Sequence, residues 1–453
     1  MDLTAYFRAA KYGNIVKGSQ TMKQRIVLAT AMLALSSIAI AETSPVPTYS
    51  RDVAPILYKN CASCHRPGEI APMPLLTYEQ TRPWAKSIRE KVSLGQMPPW
   101  HSADPRGTFS NDRRLSEAEK AMLVRWATSG ALQGDPKDLP PTPKFTDGWE
   151  IGKPDAVFSI GKQFDVPASG TINYQYFTVP TNFTEDKWVQ AIEVRPGVRS
   201  VVHHVLVFCR EEGAEPRPAA FVSVVPPAPA KGTGDPGHPQ ATRPSGPGIL
   251  IATTAPGTNA MTFEPGSAIR IKAGSKLIFQ IHYTSNGTAA SDETSVGMIF
   301  APQPRQEIHN SAFVNAFFKI PAGAANEEVD SAIEFKQDVH ITALFPHTHL
   351  RGKSWEYRMV YPDGRSEIVL SVPKYDFNWQ TYYVFTKPLA APKGSRLEAK
   401  AHYDNSEANP WNPNAKVEVR WGEQTWQEMQ YSGITYYVDD PEGATSAKSV
   451  GGN

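Results

Sequence analysis

The spacing of apolar residues changes across Asp135-Pro136-Lys137-Asp138-Leu139-Pro140-Pro141-Thr142-Pro143, and that change confines the chain to a multidomain fold. Before this proline-rich linker, apolar residues recur at helical spacing. Beyond it they alternate with period two, and Ser200–Phe208, Lys276–Thr284, Asp338–Leu344, Trp355–Tyr361, Ser366–Val372, Arg396–His402 and Lys416–Trp421 read as strands. Asp363-Gly364 between two such runs reads as a hairpin turn. A chain of 453 residues with 40 prolines and 32 glycines has the turns that many short strands need, and this pattern predicts β-sandwiches. A short repeat supports two of them in tandem. Gly274-Ser275-Lys276-Leu277 reaches His282-Tyr283, and Gly394-Ser395-Arg396-Leu397 reaches His402-Tyr403, after the same interval. The expected organisation is an all-α domain at 45–135, a linker at 136–147, and all-β domains at 148–305 and 306–438. Residues 211–248 are expected to form a surface excursion and 439–453 a disordered tail.

In the first domain, Cys61-Ala62-Ser63-Cys64-His65 is the c-type haem attachment pattern. Two thiols would add to the haem vinyl groups, and His65 would ligate the iron. A redox pair would want a βαβ setting and a zinc site further ligands nearby, and neither is evident. Val53, Ile56 and Leu57 make one face of a helix running into Cys61. A second helix is predicted from Thr81 to Leu94, with Trp84, Ile88 and Val92 buried and Gly95 as its stop. A third opens with the capping box Ser116-x-x-Glu119 and buries Met122, Leu123 and Trp126 before Gly130. This arrangement resembles a small class I cytochrome c. Met97 is the favoured distal ligand, with Met73 and His101 as competitors.

Lys23 and Arg25, the apolar run Ile26 to Ile40, and Ala39-Ile40-Ala41 read as an export signal, with Met22 as the expected start and residues 1–41 removed. The periplasm is the expected compartment, and no stable membrane insertion is expected because the apolar run is short. Removal takes five basic and one acidic residue from the 46 and 45 of the chain, leaving a formal balance of −3. That charge offers nothing to a nucleic-acid backbone. With two of three cysteines in the haem motif, Cys209 stands alone and no disulfide framework can form.

The β region carries His203-His204, His282 and His347-Thr348-His349. His-x-His on a strand puts both imidazoles on one face, where they can share a metal. Adjacent His203 and His204 would point to opposite faces unless the backbone bends. Three imidazoles suit Cu, Zn, Fe or Ni alike, and a thioether from Met429 would favour Cu(I). His238, His309 and His340 read as structural.

In order, Val202-His203-His204-Val205, Gln280-Ile281-His282-Tyr283, His347-Thr348-His349-Leu350-Arg351-Gly352-Lys353 and Glu428-Met429 resemble the ligand motifs of the type II copper, ascorbate-dependent monooxygenases, the family of the peptidylglycine α-hydroxylating and dopamine β-monooxygenases. The resemblance implies two jelly-roll-like β-domains facing across a solvent cleft. It implies one copper on His203, His204 and His282, and a second, catalytic copper on His347, His349 and Met429. The second would handle O2 and the substrate C–H bond, and the first would store and pass an electron. The repeat offers His402 as counterpart of His282, but the family pattern gives that role to Met429. Where peptide-hydroxylating members hold a substrate carboxylate with Arg, this chain has Phe345, and Tyr431 and Gly433 replace a further Asn and Tyr. The implied activity is hydroxylation of a small molecule other than a glycine-extended peptide. Its electrons would come through one covalent haem c from an exported donor. The alternatives are a non-catalytic haem/copper electron-transfer or copper-handling protein, and a copper nitrite reductase using Cys209.

Overall fold

The computed structural model describes residues 45–67, 69, 71–145, 148–211, 221–223, 248–255 and 260–438. The expected export signal, His238, most of 211–248 and the tail lie outside the described residues. From Pro47 onward the described chain belongs to one compact unit.

Three helices share a small core. A π-helical turn at Tyr49–Val53 leads into α1 (Ala54–Asn60); α2 spans Ala85–Ser93 and α3 Glu117–Thr128. Tyr49, Val53, Leu57, Ile88, Leu123 and Trp126 are packed together. Both halves of the capping box form: Ser116 Oγ accepts from Glu119 N at 3.2 Å, and Glu119 Oε2 accepts from Ser116 N at 2.8 Å. Such a cap contributes about 1 kcal/mol. Gly95 (φ 64°) and Gly130 (φ 93°) follow α2 and α3 in the left-handed conformation that stops a helix. Trp84 is not buried as expected but 40% exposed. Arg82–Trp84 form a 3₁₀ turn, whose tighter winding moves Trp84 off the face that Ala85, Ile88 and Val92 bury.

Each β region is a two-sheet sandwich. In the first, β1 (Ala156–Ser159), β3 (Lys187–Arg195), β6 (Ser267–Ile271) and β8 (Ser295–Ala301) line up as β1-β8-β3-β6, with short edge strands added. Facing them are β2 (Gln175–Pro180), β4 (Val202–Arg210), β5 (Ile249–Thr254) and β7 (Lys276–Tyr283), in the order β2-β7-β4-β5. Val189, Ile271 and Met298 from one sheet meet Val205, Phe279 and Ile281 from the other. The second sandwich repeats this plan. One sheet runs β9-β16-β11-β14, from β9 (His309–Val314), β11 (Val339–His347), β14 (Tyr383–Ala391) and β16 (Tyr431–Val438). The other runs β13-β12-β15-β10, from β10 (Glu327–Phe335), β12 (Gly352–Val360), β13 (Ser366–Val372) and β15 (Arg396–Tyr403). The sequence repeat falls on β7 and β15, each an inner strand; Ser275 and Ser395 before them are both fully buried.

Lys416–Trp421 yields strand only at Val419–Arg420. Asn412 and Asn414 side chains accept from the N–H groups of Asn414 and Lys416, a local alternative to a β ladder.

The segment after α2 leaves the helical core. Trp100 and Phe109 enter the core of the second sandwich beside Tyr383, with ring centroids 5.2 and 5.5 Å from it. Ala103 N donates to Ser371 O, and Ser110 N to Val384 O, so this strap is hydrogen-bonded to β13 and β14.

Candidate metal centres

The ladder between β4 and β7 solves the problem of two adjacent histidines. His282 pairs with His204, but the next partner of Tyr283 is Val202, so His203 is the extra residue of a β-bulge. A bulge re-aims its residue, and here it brings His203 alongside His204. Their Nδ1 atoms lie 3.1 Å apart. The ring centroid of His282 is 5.1 Å from each of the other two. One nitrogen from each of the three lies within 4.8 Å of the others. Tyr174 packs against His204 and His282.

This trio fits a cation. His282 Nδ1 is buried with no hydrogen-bond partner, an orphan that a metal would satisfy. Burial pushes His203 down to about 4 and His282 to about 3, and holds His204 well below the usual range. All three are therefore neutral at pH 7, with lone pairs to donate.

The second cluster lies where β11 ends. His347 and His349 are buried, with centroids 5.2 Å apart. His347 Nδ1 lies 3.1 Å from Gln380 Oε1, and His349 Nδ1 3.2 Å from the Gln427 carbonyl. Both partners accept, so each ring carries its proton on Nδ1 and keeps its Nε2 lone pair for a metal. Among the described residues, no His, Cys, Asp or Glu completes a trio with this pair. Met429 is the third ligand that the family resemblance implies for this pair. Tyr431 pairs with His347 as the last pair of that ladder, and Met429 precedes Tyr431 by two residues as His349 follows His347 by two. Glu428, fully buried, locks this register by accepting from His349 N (2.7 Å), Arg351 N (2.7 Å) and Met429 N (3.3 Å). Burial raises its carboxyl to about 8, while those donors and the Arg351 charge pull the other way. Gly352 is required here, since a Cβ would collide with Thr348 and Tyr375.

His402 is engaged elsewhere: Nδ1 meets Ser354 Oγ at 3.2 Å and Nε2 meets Glu328 at 3.2 Å. His309 packs against Tyr436, and His340 stacks on Tyr437. Cys209 is in the first sandwich's core, six residues along β4 from His203. At ~3.3 Å per residue that is about 20 Å, too far to join His203 on one copper.

Sequence reasoning missed the loop between β13 and β14. Phe377 stacks on His203 (5.1 Å, 18°) and meets His349 edge-on (5.9 Å, 84°). Gln380 holds His347, and the Tyr375 hydroxyl donates to the Thr348 carbonyl between the two histidines. Where a solvent cleft was expected between the centres, one aromatic ring touches both. The signal available in sequence was only the aromatic density of Tyr375, Phe377, Trp379, Tyr382 and Tyr383.

In the helical region, Cys61 follows α1, and the N–H groups of Cys64 and His65 both donate to its carbonyl. Both thiols are free, and burial pushes that of Cys61 up to about 12. His65 Nδ1 lies 3.0 Å from the Met73 carbonyl, which leaves Nε2 as its ligating atom. The Met73 backbone therefore lies on the side of the ring away from Nε2. Burial lowers the His101 imidazole, with the Asp376 charge acting the other way. Met97, half-buried, follows α2 with its N–H donating to the Lys91 carbonyl.

Residues 317–449 match the family model of the copper type II ascorbate-dependent monooxygenase C-terminal domain. The chain is 21% identical over 210 residues to DBH-like monooxygenase protein 1 of Gallus gallus, covering 42% of this chain and 33% of that protein. The match thus spans about a third of the length of the curated relative. Solved structures give only weak likenesses. The major capsid protein P2 of bacteriophage PM2 aligns at 9% identity over 62% of this chain and all of that one, with a TM-score of 0.26. PBCV-1 VP54, fitted into a reconstruction of the virophage Sputnik, aligns at 8% identity over 62% of this chain and 93% of that one, with a TM-score of 0.22. Such scores carry no argument about fold or function. The sequence matches do, and they support the copper type II monooxygenase family, which implies copper as the metal.

Proposed function

We propose that the protein is an exported copper monooxygenase that hydroxylates a C–H bond of a small molecule with O2. The observation that carries this reading is the pair of histidine clusters joined through Phe377, one of them within the matched family segment. His203, His204 and His282 would hold one copper, and His347, His349 and Met429 the other. Copper bound there supplies one-electron redox chemistry and O2 activation. The chain's own part is to keep five imidazoles neutral and aimed. Gln380 and the Gln427 carbonyl fix two tautomers, Glu428 ties the Met429 segment to His349, and the β-bulge brings His203 beside His204.

The surroundings of His347 support an uncharged substrate. Phe345 stacks on Tyr382 at 4.3 Å and lies parallel to His347 at 6.1 Å, with Tyr431 edge-on to both. A carboxylate would find an aromatic wall at the position of Phe345, not a guanidinium.

A covalent haem on Cys61 and Cys64, ligated by His65 with Met97 as distal partner, would supply a one-electron carrier in the same chain. An exported protein donor would reduce it. The orientation of His65 Nδ1 towards the Met73 carbonyl supports this role.

The test is metal and haem stoichiometry of the exported protein, with His347→Ala and Met429→Ala beside it, followed by O2 uptake against a panel of uncharged substrates. Two coppers, one haem, loss of one copper in each variant and substrate-dependent O2 uptake are expected. Full metal content without O2 uptake on any substrate would favour a non-catalytic electron carrier. One copper or none would overturn the ligand sets.

A further inference from the structure

We propose that electrons enter the copper pair at the three-histidine cluster, across a built-in contact between the haem-attachment loop and the turn leading into β4, positioned by the Glu69–Arg199 ion pair. The inference rests on the haem and copper reading above and assigns the contact through which the two communicate.

Two separate threads from the helical region end at His203. The first starts at His65. Four residues on, Glu69 accepts from Arg66 at 2.9 Å and meets Arg199 Nε at 3.4 Å. The side chains of Arg66, Glu69 and Arg199 are 13%, 16% and 25% exposed, so this group is largely shielded from solvent. Such pairs are screened less than surface ones. Arg66 also lies over the Phe145 ring, 4.1 Å from its centroid, which pins the loop to the linker. Arg199 opens the short turn Arg199–Val201, and His203 is the second residue of β4, which follows it.

The second thread starts at Met97. Trp100 is buried in the second sandwich, His101 lies within electrostatic reach of Asp376, and Asp104 accepts from Ser371 N at 2.9 Å. Asp376 precedes Phe377, whose ring stacks on His203. The loops bearing both candidate iron ligands are thus anchored against the surroundings of one imidazole. With Trp100 and Phe109 committed to a foreign core, the helical region is held in place and does not have to find its partner by diffusion.

The transfer balances simply. One electron leaves ferrous haem, which becomes ferric, and converts Cu(II) at the trio to Cu(I); an exported one-electron donor protein then re-reduces the iron. Arg199 and Glu69 act as positioning residues and do not themselves carry the electron.

The experiment uses the full chain carrying haem and copper. Haem is reduced by a light flash with a ruthenium photosensitiser in the absence of O2, and its reoxidation by copper is followed optically. Transfer should persist in His347→Ala and vanish in His282→Ala. It should slow at least about tenfold in Arg199→Glu, where two carboxylates face each other, and recover in Glu69→Arg/Arg199→Glu. Amide exchange over residues 198–204, read on protein without metal, should quicken in Arg199→Glu and return in the double variant. Unchanged transfer in Arg199→Glu, or transfer that survives His282→Ala but not His347→Ala, would overturn the entry point. Absence of haem or copper from the unmutated protein would instead sink the reading beneath it, and this inference with it.

Discussion

Replacing Gln380 by leucine removes the acceptor for His347 along with a 3.4 Å donation from Nε2 to the Phe377 carbonyl, and comparison with glutamate, which lacks that donor but keeps the acceptor, separates the two. Gln380 is fully buried, and its Oε1 is the acceptor for His347 Nδ1 at 3.1 Å. Leucine keeps most of the volume and removes the acceptor. The His347 N–H then either remains unpaired in a buried site, at about 1–3 kcal/mol, or the proton moves to Nε2 and occupies the lone pair meant for metal. Both routes weaken the second centre, and loss of such a partner typically costs about 10–100-fold in metal affinity, or roughly 1.4–2.7 kcal/mol. Copper occupancy measured in competition with a chromophoric Cu(I) chelator should show one of two coppers weakened by that factor. Gln380→Glu, which still accepts from Nδ1, should retain the affinity. A Gln380→Leu protein that holds both coppers as tightly as the unmutated chain, with unchanged Tm, would refute the argument that this side chain sets the tautomer.

Three further outcomes follow from contacts of the same kind. Phe377→Ala removes a buried ring shared by His203 and His349, so both coppers should weaken together, with about 3–5 kcal/mol lost in thermal unfolding if the cavity stays open. Weakening at one centre alone would show that the ring is not a common support. His402→Gln should leave copper content unchanged and cost under about 1 kcal/mol, because the imidazole is engaged by Ser354 and Glu328; loss of a copper would return it to the ligand set. For Glu119, burial acts to raise the carboxyl, but the N–H and hydroxyl of Ser116 together with Lys59 and Asn60 outweigh it and hold the group at about 2. A depressed carboxyl stabilises the fold above its ordinary value near 4.5, and that contribution is lost as pH falls towards 2. Allowing for solvent screening and for the N–H of residue 116, Lys59 and Asn60, which remain, Ser116→Ala should narrow this acid-side loss by about 0.5–1 kcal/mol in urea titrations at pH 5 and pH 2.5; an unchanged difference would contradict the capping account.

What the sequence disclosed depended on how local the physics is. The strand Ser366–Val372 was legible to the residue because alternation and the Asp363-Gly364 turn act within one hairpin. Trp84 was misplaced because a 3₁₀ turn shifts helical phase by a fraction of a turn, which periodicity over so short a stretch does not resolve. Lys416–Trp421 failed because asparagine side chains outcompeted the ladder, an effect composition hints at but alternation hides.

The candidate centres divide along the same line. His203-His204 announced a bend, since neighbours on a regular strand cannot face one metal, and the register shift opposite His282 and Tyr283 is that bend. Glu428 sits beside Met429 in sequence, yet its work is done on His349 and Arg351, 79 and 77 positions away. Phe377 and Gln380 carry no motif at all. Their loop is held by Tyr375, whose N–H donates to the Lys353 carbonyl and whose hydroxyl donates to Thr348. Ligands can be read from sequence because a metal demands donor types at set spacings. The groups that orient them need only arrive at the right place, and any segment the fold carries there will serve. In this chain the segment that arrives also joins the two centres, so the loop with no motif is the one on which both depend.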